Sequence, residues 1–113
     1  MIQATIFRNS DDSGNVLYKG IVIEGHAGYD DEGHDIVCAA VSALALNFYN
    51  SVETFTKDDF EGTAGQEDIQ FEFRFPGFIS PESRLLMNSL VLGLQNIEND
   101  YGRPYIMIRF KEV

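Results

Sequence analysis

Between residues 68 and 75 the chain reads Asp-Ile-Gln-Phe-Glu-Phe-Arg-Phe. Side chains alternate between the two faces of an extended strand, so Ile69, Phe71, Phe73 and Phe75 share one face and Asp68, Gln70, Glu72 and Arg74 the other. Such alternation belongs to a sheet with one face packed and one face wet. The rings need a cover, and two segments of helical pattern supply it.

The first helix is expected over residues 35–52, with a beginning that is nearly all apolar, as a helix lying against a sheet requires. The second opens at Ser80 as N-cap with Pro81 at the first helical position, and places Leu86, Leu90, Leu94 and Ile97 on one stripe. Gly93 within it costs about 1 kcal/mol relative to Ala, which a close helix crossing would explain. Residues 2–8 and 16–24 have strand character around the turn formers of residues 11–15, and so read as a hairpin. The last strand is expected over residues 105–110, entered through Tyr-Gly-Arg-Pro. The polar stretch 56–68 reads as a long turn or hairpin. The resulting order is ββαβαβ. It predicts an α+β fold of two layers, a mostly antiparallel four-stranded sheet with both helices on one face, in a single domain over residues 1–113.

The chain carries 18 acidic against 8 basic residues, a formal charge of −10. That balance argues against nucleic acid as a direct partner, because phosphate binding is driven by Lys and Arg displacing counterions; a basic partner would be attracted instead. One cysteine permits no intrachain disulfide, and the first residues lack the basic region and apolar run of a secretory signal. A cytoplasmic setting is therefore expected. The longest apolar run, residues 36–46, falls short of the roughly 20 residues that cross a bilayer, so no membrane role is expected.

That single cysteine and both histidines fall within residues 24–46. Asp35 is placed to cap the first helix, which puts Cys38 in its first turn beside backbone N–H groups without intrahelical partners. Those groups and the positive end of the helix dipole favour an anion, so the thiol pKa is expected to be lowered. A thiolate becomes a catalytic nucleophile when a base reaches it and donors hold the oxyanion that forms. His26, at the end of the second strand, and His34, beside the cap, are both within reach in sequence. Geometry prefers His26, because a strand end fixes a side chain better. Ser42, one turn after Cys38, shares its helix face, and the N–H groups of the first turn are natural oxyanion donors. Gly25, Gly28 and Gly33 would give the loop carrying Tyr29 freedom to close over a substrate.

The residues alone leave a plainer reading open. A cysteine among Ile, Val and Ala is often a small core residue, Asp35 need be no more than a cap, Ser42 no more than a small packing residue, and the whole a non-catalytic binding module. Zinc is disfavoured, since there is one sulfur and the spacing matches no common pattern. No metal or other cofactor is implied. A phosphate loop is disfavoured too, since Asp30, Asp31 and Glu32 would repel phosphate and the Gly-Lys-Ser/Thr ending is missing.

The stretch Gly-His-Ala-Gly-Tyr-Asp-Asp-Glu-Gly-His-Asp-Ile-Val-Cys-Ala-Ala-Val-Ser-Ala-Leu resembles the signature of the ribosomal-processing cysteine protease family known as Prp. In that family Gly-His-Ala is followed by a glycine-bearing loop and Asp-Ile-Val-Cys-Ala-Ala-Val-Ser. The resemblance implies a cysteine endopeptidase with Cys38 as nucleophile and His26 as general base, Asp35 and Ser42 in support, and no assigned role for His34. It further implies a homodimer that removes a short N-terminal extension from large-subunit ribosomal protein twenty-seven, a basic ribosomal protein precursor, cutting after a pair of phenylalanines; the alternative is a non-catalytic small dimeric binding module or ribosome-associated factor in which Cys38 and His26 are packed core. Recognising that pair needs an apolar groove near Cys38, for which Tyr29 and Leu44 are the candidates.

Overall fold

The structure of the protein is a computed structural model that describes residues 1–31, 35–65 and 69–113; the side chain of Ile69 is also outside it. Asp68, expected on the wet face, and Gly33 and His34, expected near the cysteine, lie outside the described residues.

Strands β1 (Ile2–Ser10) and β2 (Val16–Gly25) form the expected hairpin, with Ile2 opposite Gly25 and Ser10 opposite Val16. Its turn is closed by Asp11, whose carboxylate accepts the N–H groups of Ser13 and Asn15 at 2.9 Å each. Helix α1 (Ile36–Phe55) follows, then β3 (Glu61–Ala64), β4 (Ile69–Arg74), helix α2 (Pro81–Tyr101) and β5 (Ile106–Glu112). Both predicted N-caps are in place. Asp35 caps α1, and Ser80 caps α2 with Pro81 behind it.

The sheet departs from the expected four strands: it has five, in the order β3-β4-β2-β1-β5, and it is mixed. The added strand is β3, an antiparallel edge partner of β4. Its Glu-Gly-Thr-Ala sequence has no apolar alternation, and what seats it is tertiary. Gly62 lies so close to α1 that a Cβ there would meet the Tyr49 ring at 2.6 Å, while Tyr49 packs edge-on against Phe60 and Phe73. The second departure is β5, which pairs parallel to β1, from Ile2 opposite Ile106 to Arg8 opposite Glu112. Helix α2 carries the chain back to the end from which β4 began, so the next strand repeats the direction of β4, and β1 runs that way too.

The two helical connections, β2–α1–β3 and β4–α2–β5, start from oppositely directed strands and step in opposite directions along the sheet. When both obey the right-handed crossover rule, both helices land on the same face. The burial matches. Ile2, Ala4, Ile6, Ile21, Ile23, Phe71, Phe73 and Ile106 are buried with Val37, Val41, Phe48 and Val52 of α1 and Met87, Leu90 and Leu94 of α2. By length and composition α1 would also suffice to cross a membrane, yet here its apolar stripe belongs to this core. Gly93 earns its place as expected: a Cβ there would stand 2.8 Å from Leu44 Cδ1 on α1. The opposite sheet face stays open, with a shallow cleft of about 620 Å³ that Phe7, Lys19, Val22, Glu72 and Arg74 help to line.

Candidate active site

One end of the sheet gathers the end of β2, the start of β1, the mouth of α1 and the turn from α2 into β5. At Gly25 the chain leaves β2 with φ +97°, and a side chain there would run into the Met1 carbonyl. Ile2 N–H donates to the Tyr105 carbonyl at 2.8 Å, tying β1 to the turn before β5. The chain then passes through His26, Ala27, Gly28 and Tyr29 on its way to Asp35.

Asp35 organises the mouth of α1. Its Oδ1 accepts the N–H groups of Val37 at 3.1 Å and Cys38 at 3.0 Å, its carbonyl accepts from Ala39 at 3.0 Å, and its Oδ2 accepts from Tyr29 N–H at 3.1 Å. The residue that caps the helix therefore also anchors the loop. Cys38 is half-buried in the first turn, and its Sγ accepts the N–H of Ala27 at 3.2 Å. The Tyr29 ring is seated edge-on against Tyr101, 5.6 Å away at 88°, and Tyr105, 5.2 Å away at 68°. So the expected mobile loop is held at Tyr29 by a backbone hydrogen bond and two rings. Gly28 between them has φ +69° and open space around it.

The electrostatics correct one expectation. The Cys38 thiol is pushed above its ordinary pKa, not below it: burial raises it most, and Asp35, as hydrogen-bond acceptor and as a like charge, adds to the rise against the Ala27 N–H and the N-terminal charge, which lower it. The helix-mouth N–H groups that were to stabilise a thiolate are taken by the Asp35 carboxylate, which also sets a negative charge beside the sulfur. Burial alone would raise the Asp35 carboxyl as well, but the donors of Cys38, Tyr29 and Val37 outweigh it and hold it below the usual carboxylate range. At rest the cysteine is a thiol and the aspartate a carboxylate.

The structure thus brings Asp35, Cys38 and Tyr29 together. His26 is exposed, one residue past the end of β2 and next in the chain to the Ala27 that touches the sulfur. Ser42 is half-buried one turn beyond Cys38, and among the described residues no hydrogen bond joins the two. Leu44, the other groove candidate, packs at the helix crossing against Gly93. Two residues escaped the sequence reading. Ala27, buried at 3% exposure, presents its N–H to the sulfur, and only its place between His26 and Gly28 could have signalled that. Ile36, the first residue of α1, is 51% exposed beside the site, with Tyr29 at 42%; an apolar residue next to a helix cap is the signal that was there to read.

Residues 1–106 match the family model described as Cysteine protease Prp. The chain belongs to the cysteine protease Prp family. Within the family it is 35% identical over 105 residues to the ribosomal processing cysteine protease Prp of Bacillus subtilis, covering 89% of this chain and 90% of that protein. To the Prp of Staphylococcus aureus it is 29% identical over 92 residues, 81% of this chain and 85% of that one. An S. aureus Prp solved with a covalently linked product peptide superposes with a TM-score of 0.84 at 28% identity, covering 98% of this chain and 100% of that one. A second S. aureus Prp structure, holding a substrate peptide, gives 0.78 at 27% identity over the same shares. The protein is a cysteine protease with the Prp fold.

Proposed function

We propose that this chain is an endopeptidase that trims the N-terminal extension of a basic ribosomal protein precursor, large-subunit protein twenty-seven, after a Phe-Phe pair, with Cys38 as nucleophile and His26 as general base. One observation carries the nucleophile: the chain belongs to a cysteine protease family and contains one cysteine. The peptides held by the S. aureus Prp structures, one of them covalently, support peptide-bond chemistry through an acyl-enzyme. The net charge of −10, with Asp30 and Asp31 exposed on the loop beside the site, suits a basic substrate. The exposed side chains of Ile36 and Tyr29 offer apolar surface for the Phe rings.

In the reaction His26 takes the Cys38 proton, and the thiolate attacks the carbonyl of the second Phe. The new C–S bond sends the carbonyl electron pair to oxygen. The intermediate collapses as the C–N bond breaks and the imidazolium gives its proton to the leaving amine, and water then hydrolyses the thioester. A thiol that rests protonated needs that base, which is why His26 and not the helix mouth is given the task. The homodimeric state comes from the family resemblance and is checked by sedimentation; the cytoplasmic setting expected from the sequence is checked by cell fractionation.

The test is incubation of the native and Cys38→Ala chains with a peptide spanning a Phe-Phe-Ala junction, read by mass. Cleavage after the second Phe by the native chain alone is the expected result. Equal cleavage by both, or none by a folded native chain, would remove the assignment.

A further inference from the structure

An oxyanion needs hydrogen-bond donors already aimed at the place where its charge develops. Three N–H groups at the mouth of α1 are occupied: Val37 and Cys38 donate to Asp35 Oδ1 at 3.1 and 3.0 Å, and Ala39 donates to the Asp35 carbonyl at 3.0 Å. Freeing them would mean dismantling the helix cap in every turnover. The N–H that does face the reacting atom comes from the other side, where Ala27 donates to Cys38 Sγ at 3.2 Å.

We propose that the main-chain N–H of Ala27 is the oxyanion donor of this protease. The inference rests on Cys38 as nucleophile. In the tetrahedral intermediate the oxyanion is two bonds from Sγ, on the carbon the sulfur has just joined, so a donor aimed at the sulfur needs only a small reorientation to meet it. The charge moves the same way: attack transfers it from sulfur to oxygen, and the hydrogen bond follows it. Ala27 is also built to hold such a donor still. Its methyl group is buried in the core at 3% exposure, and the chain on either side is turned by Gly25 at φ +97° and Gly28 at φ +69°, conformations that side chains resist.

Cys38 itself offers a clean route to the test. Ligation of a synthetic 1–37 thioester to residues 38–113, which begin with that cysteine, rebuilds the chain with an ester in place of the His26–Ala27 amide. The ester removes one N–H and keeps the side chains. Cleavage of the Phe-Phe-Ala peptide and binding of a peptide aldehyde ending in Phe-Phe, whose adduct carries the same oxygen, are compared with the rate constant of the Cys38 thiolate toward iodoacetamide, extrapolated from the pH dependence of alkylation below the range where the ester hydrolyses. The alkylation forms no oxyanion and reports the sulfur and its surroundings. Relative to an all-amide ligated control, cleavage and aldehyde affinity should each fall about a hundredfold or more with alkylation unchanged. A fall shared equally by all three, or no fall in cleavage, overturns the donor while leaving Cys38 as nucleophile. Full cleavage by Cys38→Ala would instead overturn the nucleophile and the donor together.

Discussion

At the mouth of α2 the cap is itself held: Ser80 Oγ accepts the Ser83 N–H at 3.2 Å and donates to Asp58 Oδ2 at 2.7 Å, while Ser80 N–H reaches the same oxygen at 2.9 Å. At the mouth of α1 a single carboxylate, Asp35, meets two helix N–H groups and the loop N–H of Tyr29. Both answer the same need, the unpaired donors of a first turn. The surroundings differ. Behind the α2 cap Ser83 and Met87 are buried and Leu85 is exposed; behind the α1 cap Val37 and Val41 are buried, while Ile36 is exposed and Cys38 half-buried. Both helix starts feed the core; that of α1 also holds the chain's one thiol half-buried with a charge beside it. The lesson is that a place in the first helical turn does not lower a thiol's pKa where burial, joined by an anionic cap, outweighs it.

Removing each cap in turn should separate the two ends most sharply. Asp35→Ala should cost about 1–2 kcal/mol of stability and most of the cleavage activity, since the Tyr29 anchor goes with the cap. Ser80→Ala should cost about 1 kcal/mol and leave turnover per folded molecule unchanged. Denaturant titration alongside peptide cleavage checks both, and equal loss of turnover in the two variants would erase the distinction.

A finer cut keeps the cap and removes only its charge. Asn caps nearly as well as Asp, so Asp35→Asn should change stability by less than about 0.5 kcal/mol, while the pH midpoint of Cys38 alkylation moves down as the neighbouring negative charge is lost. An unmoved midpoint would mean that Asp35 does not act on the sulfur.

The smallest effect is in the acid limb of stability. The folded-state pKa values of Asp35 and Asp58 are both depressed; burial opposes the shift in each, and it is outweighed at Asp35 by backbone donors and at Asp58 by serine donors. Stability from a depressed carboxyl is complete above its unfolded pKa, about 3.9, and is lost as pH falls through the lower folded value. Thermal midpoints should therefore hold near neutrality and fall below about pH 4, less steeply in Asp35→Asn and Asp58→Asn than in the native chain.

Much of this frame was legible in the sequence because local rules and tertiary needs agreed. Ser80 with Pro81, Asp35 before an apolar turn, and the alternation through Phe71 and Phe73 each pointed to what the fold contains. Strand β3 was not legible, since Glu-Gly-Thr-Ala is held by pairing with β4 and by the room Gly62 leaves for Tyr49. The parallel pairing of β5 is a property of the whole topology, invisible in residues 106–112. At the site the residues were legible and the electrostatics were not. Asp35 was read as a cap and Cys38 as its beneficiary, but the burial of the sulfur, and after it the cap's carboxylate, act in the opposite sense.

The central claim, that Cys38 is the reacting group and rests as a neutral thiol under an anionic cap, is tested most directly by the pH profile of its alkylation in the ligand-free protein, followed by mass together with residual peptide cleavage. The account predicts a midpoint above the ordinary thiol value of about 8.5 and the loss of one active site for each sulfur modified. A midpoint well below that value, or cleavage that survives complete modification, would contradict it.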